Sequence, residues 1–252
     1  MRVALLSIGD ELLTGDTVNT NAAWLADRIT DRGGEVRRIL TLPDDRELIA
    51  RYVGEWNERF DAVLVTGGLG GTPDDVTMEA VADGLDRGLV IDEDERQRLV
   101  ERGRALERER PDLVEEWDFQ MRFDAGASIP EGSRPLSTDA GWAPGCAVEN
   151  VYVFPGFPGE MKAMFELVAD EFNGERVSET LYTPAPEGAL YELLEEARER
   201  FETAVGSYPT KGDRPGRIVV SGTDPDEVAE TVEWFESNVA VMDPNEHHGE
   251  DR

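Results

Sequence analysis

Between Val63 and Glu79 the chain reads VLVTGGLGGTPDDVTME. Gly67, Gly68, Gly70 and Gly71 remove the side chains that a strand would pack, so backbone N–H groups there can come close to a ligand. Thr72-Pro73-Asp74-Asp75 then reads as a helix opening, with Thr72 at the N-cap, Pro73 in the first turn and Asp75 at the third helical position. Loop amides followed by the positive end of a helix favour a phosphate. Asp74 and Asp75 would repel that phosphate unless Mg2+ sits between them, since this ion commonly takes one or two carboxylates together with substrate phosphates. The simpler reading of the two acids is that they only cap the helix. Neither a Walker A loop nor a GxGxxG fingerprint is present.

Further carboxylates stand in Gly9-Asp10-Glu11 and in Pro43-Asp44-Asp45. Other chemistries are excluded. Cys146 is the sole cysteine, so neither an intrachain disulfide nor a cysteine-based zinc site can form. His247 and His248 are the only histidines and lie in the terminal PNEHHGEDR, which rules out a Ser-His-Asp triad or a histidine-held metal in the body. What remains is carboxylates, hydroxyls, arginines and backbone amides.

With 55 acidic and 25 basic residues the net charge is -30, and Lys162 and Lys211 are the only lysines. Such a surface repels itself unless salt screens it. The composition is that of a salt-in halophile, of the haloarchaeal kind, and the charge reads as adaptation rather than chemistry. No basic footprint for nucleic acid is present. No stretch approaches the length of a membrane span. Met1 runs straight into a strand-like segment, so no signal peptide is expected and the protein should be soluble and cytoplasmic.

The elements that must position these residues follow from periodicity. Arg2–Ile8, 36–42 and 61–65 read as strands. Helices read from Asn19-Thr20-Asn21 to Gly33-Gly34 and from Arg46 to about Arg59. Strands alternating with helices predict a doubly wound, mainly parallel α/β sheet, with ligands beyond the carboxyl ends of the strands. Gly9-Asp10-Glu11 is expected as a loop on that edge, as are Pro43-Asp44-Asp45 and the glycine loop. From Asp92 to about Asp118 alternating charges predict a solvated helix. Residues 126–146 read as loops with short strands, with Trp142-Ala143-Pro144-Gly145 a turn near the site. Val151-Tyr152-Val153-Phe154 is a strand running into Pro155-Gly156-Phe157-Pro158-Gly159-Glu160-Met161, where Glu160 is a favourable first-turn carboxylate. Beyond Asn173-Gly174 the pattern predicts a small α+β lobe. The domains are therefore 1–173, 174–239 and a disordered acidic tail 240–252.

The order of Gly9-Asp10-Glu11-Leu12-Leu13, Asn19-Thr20-Asn21, Thr66–Gly70 with Thr72 and Asp74-Asp75, Ala143-Pro144-Gly145, Pro155–Met161 and Ser207-Tyr208-Pro209 resembles the amino-terminal part of the CinA (competence/damage-inducible) family. It is also similar to that family's relatives in the molybdopterin-binding MoaB/MogA-like superfamily. The resemblance implies a molybdopterin-binding-like α/β core and a KH-like second lobe. It also implies metal-assisted pyrophosphatase activity on a nucleoside diphosphate-linked compound such as ADP-ribose, with Mg2+, or Mn2+ or Co2+, as cofactor. Sister branches bind molybdopterin and adenylylate it, which is the alternative. The family's amidase domain has no counterpart here, so deamidation is not expected.

On this reading Thr66, Gly67, Gly68 and Gly70 cradle the phosphates and Thr72 donates its hydroxyl or caps the helix. Asp74 or Asp75 holds the metal, Asp10 or Glu11 positions the attacking water or a second metal, and Asn19, Asn21 and Glu160 contact the nucleotide. Two departures from the family pattern stand out: Gly71 replaces a proline, and Ser137-Thr138-Asp139 replaces an asparagine-proline pair. The partner is then a nucleotide or a pterin phosphate, and a homo-oligomer, a dimer by preference, is expected. A regulatory lobe that clamps nucleic acid is disfavoured, because Lys211–Gly216 lacks the GXXG spacing.

Overall fold

A computed structural model describes residues 1–112, 122–211 and 215–243. The two histidines, most of the expected tail, the far end of the charged helix and the centre of the Lys211–Gly216 loop lie outside the described residues. The chain divides into two compact units, Met1–Thr30 with Gly34–Asn173, and Asp31–Gly33 with Gly174–Arg252.

The larger unit is built on a six-stranded sheet. Its strands are β1 (Arg2–Ile8), β2 (Glu35–Leu42), β3 (Ala62–Thr66), β6 (Arg134–Leu136), β7 (Gly145–Val148) and β8 (Val151–Phe154), in the order β2-β1-β3-β8-β7-β6. The first four in that order are parallel, and β7 and β6 add antiparallel edges. The strands β4 (Leu89–Ile91) and β5 (Ser128–Pro130) form a separate antiparallel pair.

Alternation along β1 explains why its apolar run is unbroken. Ala4, Leu6 and Ile8 pack into one core, while Val3 and Leu5 pack into the other. Helices cover both faces. On one side lie α3 (Arg46–Asn57), with Ile49, Val53 and Trp56 inward, and α4 (Thr77–Gly84), with Ala80 and Val81. On the other lie α2 (Thr20–Asp31), with Ala22, Leu25 and Ile29, and the Pro158–Glu166 helix, with Met161, Met164 and Phe165. This is the doubly wound arrangement read from the sequence.

Local starts follow ordinary capping. Asp45 accepts the Leu48 N–H at the head of α3, and Asp92 accepts that of Glu95 at the head of α5 (Glu93–Glu109). Two expectations fail. Asp10 and Glu11 lie not in a loop but in a short helix, α1 (Asp10–Thr14), whose left-handed C-cap is Gly15. The helix after the glycine loop opens at Thr77, not at Pro73. The reason is a closed turn: Asp75 Oδ2 accepts both the N–H (2.9 Å) and the hydroxyl (2.6 Å) of Thr72, and the Asp75 N–H returns to Thr72 O at 3.1 Å. The Thr72 hydroxyl donates here, so it does not accept the Asp75 N–H as an N-cap would; that N–H closes a single turn on the Thr72 carbonyl.

The amino ends of the central strands are pinned by Asn150, whose amide donates to the carbonyls of Asn57 (3.0 Å) and Phe60 (2.8 Å). Asn150→Ala should cost about 1–3 kcal/mol of stability by leaving these acceptors unpaired. Ligand binding at the opposite rim should not change. Chemical unfolding beside a binding titration checks both halves.

In the smaller unit, β9 (Val177–Tyr182), β10 (Ala204–Tyr208) and β11 (Arg217–Gly222) form an antiparallel sheet in the order β10-β11-β9. The Tyr191–Arg200 and Pro225–Asn238 helices supply Ala197, Val228 and Phe235 to a core shared with Ile218 and Val220. Among the described residues no helix is long and apolar enough to cross a membrane.

Candidate functional site

Parallel pairing brings the carboxyl ends of β2, β1, β3 and β8 to one rim. Their loops are tied together there. The Gly9 N–H donates to Leu42 O (3.1 Å), the Gly67 N–H to Phe154 O (3.1 Å), and the Thr77 N–H to Gly68 O (3.2 Å). Asn21 Nδ2 donates to Gly156 O at 2.7 Å.

Gly67 has φ +102° and Gly68 φ +65°, conformations that disfavour a side chain. A Cβ on Gly67 would also strike the Ile8 carbonyl, and one on Gly68 would strike the Thr77 hydroxyl. Gly67 therefore serves as a structural joint. Its N–H is engaged by Phe154, which corrects the expectation that it serves a phosphate. Thr66 ends β3, is 4% exposed, and lines a pocket of ≈ 80 Å³. The amides of Gly68, Leu69, Gly70 and Gly71 donate to no protein group among the described residues. These four residues line a cleft of ≈ 580 Å³ together with Glu11 and Trp142. A second hollow of ≈ 250 Å³ shares the same loop.

The acids fall out differently from the sequence reading. Asp75 lines the cleft but is held by Thr72, and a Cβ on Gly70 would strike its carboxylate. Asp74 is exposed. Glu11 lines the cleft, its carboxylate folded back over Gly9. Asp10 gives its N–H to Asp44 Oδ2 at 3.0 Å.

Asp44 is an acid that sequence reasoning placed on the rim but assigned no role. Its Oδ1 lies 3.6 Å from where a Cβ on Gly68 would stand. Burial pushes its carboxyl above the usual range and so do the charges of Asp10, Glu11 and Asp74, while the Asp10 N–H opposes them. Its position after a strand was the only signal in the sequence. Among the described residues no group of three or more His, Cys, Asp or Glu side chains is placed to hold a metal by itself. The negative charge collected around Asp44 does suit a cation that arrives with phosphate ligands of its own.

Asn19 caps α2, its Oδ1 accepting the Ala22 N–H at 3.1 Å. Asn21 Oδ1 is buried with no partner among the described residues, and Asn21 lines the ≈ 80 Å³ pocket. Glu160 lies in the first turn of its helix and lines the cleft. Burial raises its carboxyl, and the Arg102 charge opposes that rise.

Comparison with known proteins gives the following. Residues 4–173 match the family described as "Probable molybdopterin binding domain", and residues 175–243 match "FAD synthase, middle domain". A protein of Archaeoglobus fulgidus is 37% identical over 245 residues, covering 94% of this chain and 97% of that one. A "CinA-like protein" of Citrifermentans bemidjiense is 41% identical over 208 residues, 78% of this chain but 48% of that one, so this chain spans about half its length. The solved structure of a CinA protein "with unknown function" from Thermoplasma acidophilum has a TM-score of 0.56 at 32% identity, covering 68% of this chain and 97% of that chain.

Proposed function

Because this chain belongs to the probable molybdopterin-binding domain family, in a CinA-like form, we propose that its rim cleft binds a nucleoside diphosphate-linked compound such as ADP-ribose and hydrolyses it with a divalent metal. The observation that carries this reading is the run of four amides, Gly68 to Gly71, without protein acceptors and beside the carboxylates of Glu11 and Asp44. Preorganised N–H groups stabilise developing phosphate charge without reorganising.

The loop amides hold the diphosphate. Asp44, anchored by the Asp10 N–H, presents its second oxygen toward the loop and would hold the cation together with substrate phosphates. Mg2+ fits this mode, and Mn2+ or Co2+ can replace it. Once bound, the ion neutralises phosphoryl charge. In the reaction, water oxygen bonds to one phosphorus and the bridging P–O bond breaks. The departing phosphate keeps the electron pair, and the water proton passes to Glu11. Asp74 and Asp75 keep a supporting role, Asp75 by closing the Thr72 turn.

The test is product analysis at molar salt, which the acidic, halophile-like composition calls for, with Mg2+, Mn2+ or Co2+ and a panel of diphosphate-bridged compounds. AMP and ribose 5-phosphate from ADP-ribose, formed only with metal, are expected. The absence of any metal-dependent product across the panel sinks the hydrolytic reading.

The family description favours a second reading, in which the same loop holds the phosphate of molybdopterin for binding or nucleotidyl transfer. Parallel titrations with molybdopterin and ADP-ribose separate the two. For the smaller unit we propose a KH-like shape without a nucleic-acid clamp.

A further inference from the structure

Two hollows share the glycine loop and are otherwise unlike. The larger, of ≈ 580 Å³, is also lined by Glu11 and by the aromatic side chains of Trp142 and Phe157. The smaller, of ≈ 250 Å³, has Val76, Met78 and Leu89 in its wall, together with Arg122. Among the described residues, Arg122 is the only lysine or arginine that lines either hollow or the ≈ 80 Å³ pocket.

In so acidic a chain the arginines are readily taken up by carboxylates. Arg46 pairs with Asp83, Arg87 with Glu149, Arg96 with Asp124 and Arg134 with Glu171. Arg122 has no ion pair or side-chain hydrogen bond among the described residues. Asp75 and Glu79 line the same hollow, yet neither pairs with it, and Asp75 is engaged by Thr72. The backbone of Arg122 is anchored. Its carbonyl accepts the Gly126 N–H at 2.9 Å, and the short helix Phe123–Gly126 is tied to α5 by Asp124 and Arg96 at 2.6 Å. Only the side chain is left to meet a ligand.

A diphosphate on this loop lies close to the charges gathered around Asp44. One divalent ion offsets part of that repulsion. A planar guanidinium bonds phosphate oxygens in pairs and supplies more.

We propose that Arg122 holds the phosphate that leaves, and that the nucleoside half of the substrate lies in the larger cleft. This rests on the hydrolytic reading above and gives it a direction. Small-molecule sites run to about 300–1,000 Å³, a range that the larger cleft meets and the smaller hollow does not. The larger cleft also has the aromatic faces on which a base can stack. The diphosphate then crosses the loop amides with its nucleoside-side phosphorus toward Glu11 and its other phosphate toward Arg122. Water oxygen bonds to the nucleoside-side phosphorus, and the bond from that phosphorus to the bridging oxygen breaks. The bridging oxygen leaves on the second phosphate with the electron pair, and the water proton passes to Glu11. Arg122 meets the charge that grows on the departing phosphate.

The test has a binding arm and an isotope arm, both at molar salt. Arg122→Gln should weaken inorganic pyrophosphate about 10-fold, the scale of a charge-assisted hydrogen bond, with or without Mg2+. It should lower metal-dependent turnover about 100-fold or more and leave the thermal midpoint in place. Arg122→Lys should recover part of the binding. Arg134→Gln removes the same charge from another part of the surface and should weaken pyrophosphate no further than that charge alone does. Turnover of ADP-ribose in oxygen-18 water should place the label in AMP and none in ribose 5-phosphate.

Pyrophosphate binding and turnover unchanged in Arg122→Gln would overturn the role of Arg122 and leave the hydrolytic reading standing. Equal weakening by Arg134→Gln would overturn it too, as would label in ribose 5-phosphate. Pyrophosphate binding without any metal-dependent product would remove the hydrolytic reading, and the direction of attack with it.

Discussion

Asp44→Asn is expected to lower metal-dependent turnover about 100-fold or more, the scale lost with a positioned charged group, and to raise the thermal midpoint at neutral pH. Both effects have one cause. Burial and the charges of Asp10, Glu11 and Asp74 make the ionised form of Asp44 costly in the folded protein, with the Asp10 N–H offsetting only part of that cost. The folded-state carboxyl therefore keeps its proton to higher pH than the unfolded one, whose ordinary value is 3.8. Between those two values the folded state binds more protons, so stability falls as pH rises through the window, and the cost persists above it.

Asparagine removes the charge and can still accept the Asp10 N–H through its side-chain oxygen. The variant should melt above the parent at pH 7, and the difference should vanish below the unfolded carboxyl value. Divalent cation should raise the parent's midpoint more than the variant's, because ligand that binds only the folded state stabilises it. Melting curves at both pH values, with and without Mg2+, check this. A variant that melts lower at pH 7 while turning over normally would remove Asp44 from the site.

Gly67→Ala should abolish diphosphate binding at accessible concentrations, a loss of about 100-fold or more for a displaced loop, and should lower stability. At φ +102° an alanine pays about 1–3 kcal/mol in backbone conformation. Its Cβ would also strike the Ile8 carbonyl, a backbone atom of the neighbouring strand that cannot swing aside. Relief requires Gly67 to leave Phe154 O, and the amides of Gly68 to Gly71 would move with it. Gly71→Ala is the matched control. Gly71 lacks a positive φ and has nothing within 4 Å of a new Cβ, so stability should hold within about 0.5 kcal/mol. Calorimetric titration with pyrophosphate and thermal melts of both variants read the contrast, and equal behaviour of the pair would refute the assignment of Gly67 as the joint.

Short-range pattern carried the architecture and left the partners open. Unbroken apolar runs such as those of β1, β3 and β8 announce strands buried on both faces, and their alternation with amphipathic helices announces a doubly wound sheet whose ligand edge is at the carboxyl ends. The glycine loop, the acids after β1 and β2, and the Pro155–Glu160 turn were visible for the same reason, since turn and cap chemistry is encoded in neighbouring residues.

Strand register decided which of those groups are free to act. Gly67 and Gly68 are alike in sequence, yet Gly67 gives its N–H to Phe154 because β8 runs beside β3. Asp74 and Asp75 looked like the acids of the site. A turn closed on Thr72 holds Asp75 and moves the helix start to Thr77. Asp44 gained its place through the N–H of Asp10, 34 residues away, and Trp142 through arginines of α5 39 to 44 residues away. Periodicity and capping act over a few residues, so the sequence by itself determines elements and their order. Hydrogen-bond occupancy and local charge depend on groups brought together only when the sheet closes, so tertiary structure alone decides which loop amides lack a protein acceptor and which carboxylate is buried among other acids.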